Sequence, residues 1–275
     1  MGQALASSFV REGIDVVILS RSGESKGLNG RIVKWDARTI GRWKEELEGA
    51  DVLINLTGRS VDCRYTEENR ALILNSRIDS TRVLGEVVEK LENPPLAWFN
   101  ASTATIYNDC RGDSSPHDEK SEVNAHGFSE EVGRAWEKAF FDSNREGVRQ
   151  VAMRITIVLG KGGGAFPVMH RFCKFGLGGA QGPGTQWMSW IHVEDWIGIV
   201  RFLINNKSIA GPVNLAAPHP LKNSEFMREM RRHFAPFGIG LPAPTIAVRI
   251  GAALIGTEPE LVLKSRKVVS RIFGV

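Results

Sequence analysis

Three kinds of chemistry are legible in the side chains of this sequence. The first is a histidine–carboxylate pair. In WMSWIHVEDW, residues 187 to 196, His192 stands three residues before Asp195, and an imidazole beside a carboxylate can serve as a general base. The apolar helical run IGIVRFLI follows directly, however. Carboxylates such as Glu194 and Asp195 at a helix start accept from free amides and meet the positive end of the dipole. We therefore read Asp195 as part of a helix start. His192 then lies on the short strand SWIHV, bonded to backbone or to a carboxylate, with Trp190 and Trp196 as core anchors. The second is an anion clamp. Ser20 and Arg21 close the apolar run DVVILS, and a guanidinium fork matches phosphate geometry, although a plain surface arginine would look the same. The third is a phosphate cradle, for which the glycine-rich stretches GKGGGAF (160–166) and GLGGAQGPG (176–184) are candidates. Neither carries the G-x-x-x-x-G-K-[ST] pattern. They read as substrate-side loops or as ordinary surface connections. Arg154, within the apolar stretch MRITIVLG, needs a partner wherever it is buried.

The elements that must position these groups follow from hydrophobic periodicity. Short apolar runs at 15–20, 50–58, 96–102 and 148–160 predict buried strands. Helical patterns at 41–48, 66–91 and 129–146 separate them. Strand alternating with helix at this spacing gives an α/β fold, a doubly wound parallel sheet covered on both faces. Beyond residue 160 the spacing predicts helices at 166–175 and 193–206, a strand at 211–217, and a helix at 223–234 capped by Asn223 or Ser224. LPAP (241–244) is a stiff linker, followed by helical segments at 245–255 and 259–270. The expected organisation is a nucleotide-binding domain over 1–160, a substrate-side lobe over 161–240 interleaved with the core, and a C-terminal helical appendage over 241–275. In a doubly wound nucleotide fold the end of the second strand meets the adenosine ribose, where an acid suits NAD and an arginine suits the 2′-phosphate of NADP. Arg21 favours NADP.

Composition narrows the classes. A hydrophobic share of 42% and a charged share of 24% are ordinary globular values, which argues against disorder. The net charge of +4 is spread along the chain rather than massed, so no nucleic-acid partner is expected. The three cysteines, Cys63, Cys110 and Cys173, are widely spaced and fit no metal pattern, which points to free thiols in a reducing compartment, the cytoplasm or an organelle matrix. With no apolar run of about 18 residues, no membrane-spanning helix and no membrane partner is expected.

Eight motifs in order, among them VVILSR, DVLINLTG, NSRIDSTRVL, ASTATIY, AWEKA and GLGGAQGPGTQWMSWIHVEDW, give the chain a further reading. It resembles the epimerase family of extended and atypical short-chain dehydrogenases, in the subgroup that carries a C-terminal domain of unknown function. Family members open with a strand and a GGTGFIG-type turn, whereas this chain begins MGQALAS. The resemblance thus implies that Met1 and Gly2 stand at the end of that turn, and that the chain is shortened at its start and at its end.

The resemblance also assigns roles. Gly2, Ser20, Arg21, Leu56, Thr57, Gly58, Arg77 and Arg154 fall at positions near an NADP cofactor. Ser102 and Thr103 end the strand whose hydroxyls orient a substrate carbonyl or hydroxyl. Tyr107, one of only two tyrosines, is the candidate to stand in as acid or base at a different spacing, with packing or a substrate contact as its alternative. Gln186 and Trp187 face a small-molecule substrate, nucleotide-sugar-like in the extended relatives. The family's Tyr-x-x-x-Lys pair is absent: aligned on Glu137, Ser129 stands at the Tyr position and Gly133 at the Lys position. An NADP-dependent oxidoreductase or epimerase is therefore expected, with a non-catalytic dinucleotide sensor or assembly factor, or an inactive fragment, as rivals. No metal is expected, and a homodimer is left open.

Overall fold

The computed structural model describes residues 1–24 and 30–273. The chain opens with α1 (Gly2–Val10), β1 (Val17–Ser20), β2 (Arg31–Lys34), a 3-10 turn at Arg42–Leu47 and β3 (Val52–Asn55). There follow α2 (Glu67–Lys90), β4 (Ala97–Thr103), α3 (Phe128–Asp142), β5 (Arg149–Ile155) and β6 (Ile157–Leu159). The remainder comprises α4 (Ala165–Lys174), β7 (Trp187–Met188), β8 (Trp190–His192), α5 (Val193–Asn205), β9 (Gly211–Leu215), β10 (Leu221–Lys222), α6 (Asn223–Phe234), α7 (Thr245–Ile255) and the short α8 (Glu260–Leu263).

The central sheet runs β3-β4-β5-β9 with every pairing parallel, and β1 and β2 form a separate parallel pair. Alternation along the strands explains why both faces are covered. In β4, Ala97 and Phe99 join Val151 and Met153 of β5 in a core closed by Leu5 and Phe9 of α1 and by Trp196, Val200 and Leu203 of α5. The intervening residues, Trp98 and Ala152, face a second core built from Val83, Leu84, Val87 and Val88 of α2 and Phe140 of α3. Each such fully buried Leu, Val or Phe contributes about 1.5–3 kcal/mol relative to exposure. This is a doubly wound α/β sheet. α2 starts where Thr66 accepts from the Asn69 amide at 3.2 Å, a cap that stabilises a helix by about 1 kcal/mol.

Several local expectations differ from the structure, each for a tertiary reason. The apolar stretch 148–160 divides at Thr156, whose amide and hydroxyl both donate to Leu215 O at 3.2 and 2.8 Å. β6 thereby leaves the central sheet and pairs with β8. The segment expected as a helix over 259–270 is helical only to Leu263. Beyond it the chain is extended, because Arg266 N donates to Trp187 O, His117 N to Lys267 O, and Val269 N to His117 O. α6 is capped through Lys222, whose amide donates to Glu225 at 3.0 Å. Asn223, fully buried, accepts instead from the Gln181 amide at 2.8 Å. No described helix is long and apolar enough to cross a membrane.

Candidate active site

Ligands of doubly wound sheets bind beyond the carboxyl ends of the strands, so the site is built from what those ends carry. At the end of β1, Ser20 and Arg21 lead into a cavity of about 460 Å³ lined in part by Arg21, Lys34, Arg42, Trp35 and Trp43. Trp35 and Trp43 meet edge to face at 5.4 Å. One carboxylate, Asp36, also lines it, but its oxygens accept from the amides of Arg38 and Thr39 and from the Thr39 hydroxyl. The bonds from Thr39 and Arg38 hold this carboxyl down at about 2. The mouth of the cavity is therefore cationic and aromatic, suited to a phosphate and a flat ring.

At the end of β3 the turn Leu56–Thr57–Gly58 is shaped by buried Asn55, whose Oδ1 accepts from Thr57 N at 3.0 Å while its Nδ2 donates to Asn100 at 2.7 Å. Leu56 lies against the start of α1, 3.8 Å from where a side chain on Gly2 would begin. A Cβ on Gly58 would meet the Arg77 guanidinium carbon at 3.2 Å, so glycine is what allows the turn and the guanidinium to lie together. Arg77 donates to the carbonyls of Arg59 and Ile73 and stacks over Trp136 at 5.0 Å. No carboxylate pairs with it among the described residues, and burial pulls its pKa down to about 10. An under-compensated, half-buried cation beside a backbone turn is what an anionic ligand would complete.

At β4 and β5 the situation reverses. Arg154, buried, donates from Nε and Nη2 to the two carboxylate oxygens of Glu137 at 2.8 and 2.7 Å, and from Nη1 to the Tyr107 hydroxyl at 2.8 Å. Ser102 donates to Glu137 at 2.6 Å, and Tyr107 donates to Asn214 Oδ1 at 2.8 Å. Asn214 in turn donates to Glu119 and to Val269 O. Burial alone would lower the Arg154 pKa, but the paired, charged Glu137 more than offsets it and holds it above its ordinary range. Burial raises that of Tyr107 against the pull of Arg154. The hydroxyls of Ser102 and Tyr107 are thus spent inside the protein. Their expected roles toward a substrate do not fit this packing, and neither does a cofactor contact for Arg154. Thr103, half-buried at the end of β4, shares a 2.8 Å bond with Thr105.

The absent acid–base pair has a packing explanation. A Cβ on Gly133 would stand 3.1 Å from both Thr103 and Ile106, so a lysine there requires those side chains to give by a few tenths of an ångström. Ser129 donates to Glu260 of α8 at 2.6 Å. Beside it lies Tyr65, whose buried hydroxyl makes no hydrogen bond of ordinary geometry. Burial, reinforced by the Glu260 charge, pushes this phenol up to about 12. Gln186 is buried at 1% exposure, and its amide donates to the carbonyls of Gln181 and Val262. It braces loops rather than facing a ligand. Trp187 is half-buried between Lys222 and Lys267, with its indole N–H on Gly112 O. His192 caps α5 by accepting from Glu194 N at 3.3 Å. Glu137, Asn214, Glu119 and Tyr65 escaped sequence reasoning. Arg154 alone signalled that an acid such as Glu137 had to exist.

This arrangement has relatives. The profile of the NAD dependent epimerase/dehydratase family matches residues 1–216. The chain is 35% identical over 233 residues to the epimerase family protein YfhF of Bacillus subtilis (strain 168), spanning 84% of this chain and 76% of that one. It is 30% identical over 274 residues to an epimerase family protein of Staphylococcus aureus (strain NCTC 8325 / PS 47), spanning 98% and 87%. The crystal structure of human epimerase family protein SDR39U1 (isoform 2) with NADPH superposes with a TM-score of 0.81 at 27% identity, covering 98% of this chain and 87% of that one. MoeE5 in complex with UDP-glucose and NAD shares the fold alone, with a TM-score of 0.74 at 16% identity over 98% of this chain and 85% of that one.

Proposed function

The chain belongs to the NAD dependent epimerase/dehydratase family, and from that premise we propose that it binds NADP(H) and acts as an oxidoreductase or epimerase on a small, nucleotide-sugar-like molecule. The choice of NADP over NAD rests on one observation: the cavity beyond β1 and β2 presents Arg21, Lys34 and Arg42, while its single carboxylate is already saturated. A 2′-phosphate suits that charge, whereas an NAD site places a free acid there. The human relative solved with NADPH agrees with this choice.

The nicotinamide, when bound, supplies the hydride chemistry. The chain does the positioning. Gly58 lets backbone approach the cofactor, and Arg77 offers it a desolvated positive charge from beneath the turn. Thr103 orients a substrate hydroxyl or carbonyl, supported by Thr105. Ser102, Glu137 and Arg154 hold β4, α3 and β5 in register behind it.

A second reading, a dinucleotide-binding sensor without turnover, draws on the commitment of Ser129, Gly133 and Tyr107 to packing. Calorimetric titration with NADPH and with NADH tests the cofactor. Tighter binding of NADPH is expected, and equal or weaker binding refutes the choice of NADP. Oxidation of NADPH across a panel of carbonyl and nucleotide-sugar compounds separates the readings: turnover supports the enzyme, and binding without any turnover supports the sensor.

A further inference from the structure

We infer that the face built by the 175–177 turn, the 237–241 loop and α7 docks on an anionic lipid surface. The large apolar side chains that this chain leaves in solvent are concentrated there. Phe237 is 96% exposed, Leu254 81%, Phe175 75% and Ile246 70%, with Ile239 and Leu241 also exposed. Contiguous apolar exposure on this scale marks an interaction surface. The two loops are one structure: Leu241 N donates to Gly176 O at 2.7 Å, Gly179 N to Leu241 O at 3.0 Å, and Ala243 N to Ala180 O at 2.9 Å. α7 starts on the same loop, since a Cβ on Gly182 would lie 3.7 Å from the Thr245 hydroxyl. Along α7, Ile246, Ile250 and Leu254 recur every four residues on one exposed stripe. Phe237 is held outward at φ 60°, a conformation that bulky residues seldom adopt.

Charge selects the occupant. Residues 160–180 and 230–257, which supply this face, contain Lys161, Arg171, Lys174, Arg231, Arg232 and Arg249 and no Asp or Glu. The two acids that flank the second stretch are both paired: Glu229 sits within 3.8 Å of Arg228 and Arg232, and Glu258 lies 3.6 Å from Arg64. A second copy docked face to face would bring like charges together, which is costly. Nucleic acid would accept the cations but leave the aromatic and aliphatic tips uncovered. Apolar tips rimmed by Lys and Arg are what an interfacial protein presents to anionic headgroups and the acyl boundary beneath them. The absence of a long apolar run in the sequence excludes only spanning. This face is assembled from two short stretches more than 50 residues apart.

The test is co-sedimentation of the full chain with vesicles of phosphatidylcholine plus phosphatidylserine and with vesicles of phosphatidylcholine alone. Sedimentation is expected with the anionic vesicles only, and it should weaken as salt is raised. The double variant F175E/F237E is expected to lower the partition coefficient by about tenfold or more, with an unchanged circular dichroism spectrum because both rings already lie in solvent. No serine-lipid-dependent sedimentation, or equal sedimentation of the double variant, overturns the inference. So does light scattering that shows a dimer which the double variant dissociates and the vesicles leave intact.

Discussion

Two arginines, Arg154 on β5 and Arg77 on α2, stand in opposite conditions. Arg154 is buried and fully answered: Glu137 grips it with two oxygens, Tyr107 accepts its third bond, and Ser102 completes Glu137. Arg77 is half-buried and answered only by carbonyls and an indole face. Arg21, at the cavity beyond β1, likewise has no acid within salt-bridge distance among the described residues. The contrast teaches a way to sort cations in a nucleotide fold. A guanidinium whose counter-ion comes from a neighbouring element holds the fold together. One that the fold half-buries or points into a cavity without a counter-ion is a candidate for binding an anionic ligand.

The largest effect expected is on the closed side. Glu137→Leu strands the Arg154 charge in the core, and the chain should lose about 3–5 kcal/mol of stability in urea denaturation. Glu137→Leu with Arg154→Met should recover most of that loss, because an apolar pair of similar volume needs no counter-ion. A double variant as unstable as the single one would mean that the network is needed for more than charge balance.

On the open side the order inverts. Arg21→Glu should leave the unfolding midpoint nearly unchanged, within about 0.5 kcal/mol for a surface position. It should weaken NADPH binding by about tenfold to a hundredfold, the range for one lost charge-assisted bond of about 1.5–3 kcal/mol. NADH binding should change little. Equal losses for both cofactors in calorimetry would place the 2′-phosphate elsewhere and erase the distinction between the two arginine environments.

How much of this was readable in advance follows the same division. β1, β3 and β4 announce themselves as apolar runs because they lie between two helical layers. β2 does not: RIVK is charged at both ends, and its two central residues are only half-buried. The break at Thr156 and the extended course after Leu263 depend on partners, Leu215, Trp187 and His117, that no local pattern contains. Among site residues, Arg154 in an apolar strand demanded an acid, but which acid is decided by how α3 crosses β4. The close contact at Gly133 sets that crossing. Gln186 looked available because glycine loops surround it in sequence. In space, those loops fold back over it. The exposed apolar face comes from two stretches far apart in sequence that no local pattern links, and the ladder between residues 176–180 and 241–243 joins them.

The smallest effect sharpens the comparison most, because it concerns the only two phenols of the chain. Tyr107 belongs to the satisfied side and Tyr65 to the unsatisfied one. Tyr65→Phe removes a buried hydroxyl with no hydrogen bond of ordinary geometry, so stability at neutral pH should stay within about 0.5 kcal/mol. The difference should appear at high pH. In the folded chain Tyr65 keeps its proton up to about 12, whereas an unfolded tyrosine loses it near about 10. Over that interval the unfolded state binds fewer protons, so stability falls as pH rises. The contribution of the neutral phenol is complete below about 10 and is lost as pH climbs toward about 12. Tyr65→Phe should therefore flatten the decline in urea midpoint across this window, leaving the part due to Tyr107, which burial also raises. Tyrosinate absorbance of the folded wild-type chain should show Tyr65 un-ionised near pH 10. An ordinary titration of one phenol in the folded chain, abolished by Tyr65→Phe, would mean that Tyr65 is solvated in solution. The unsatisfied side of the sheet would then reduce to its arginines.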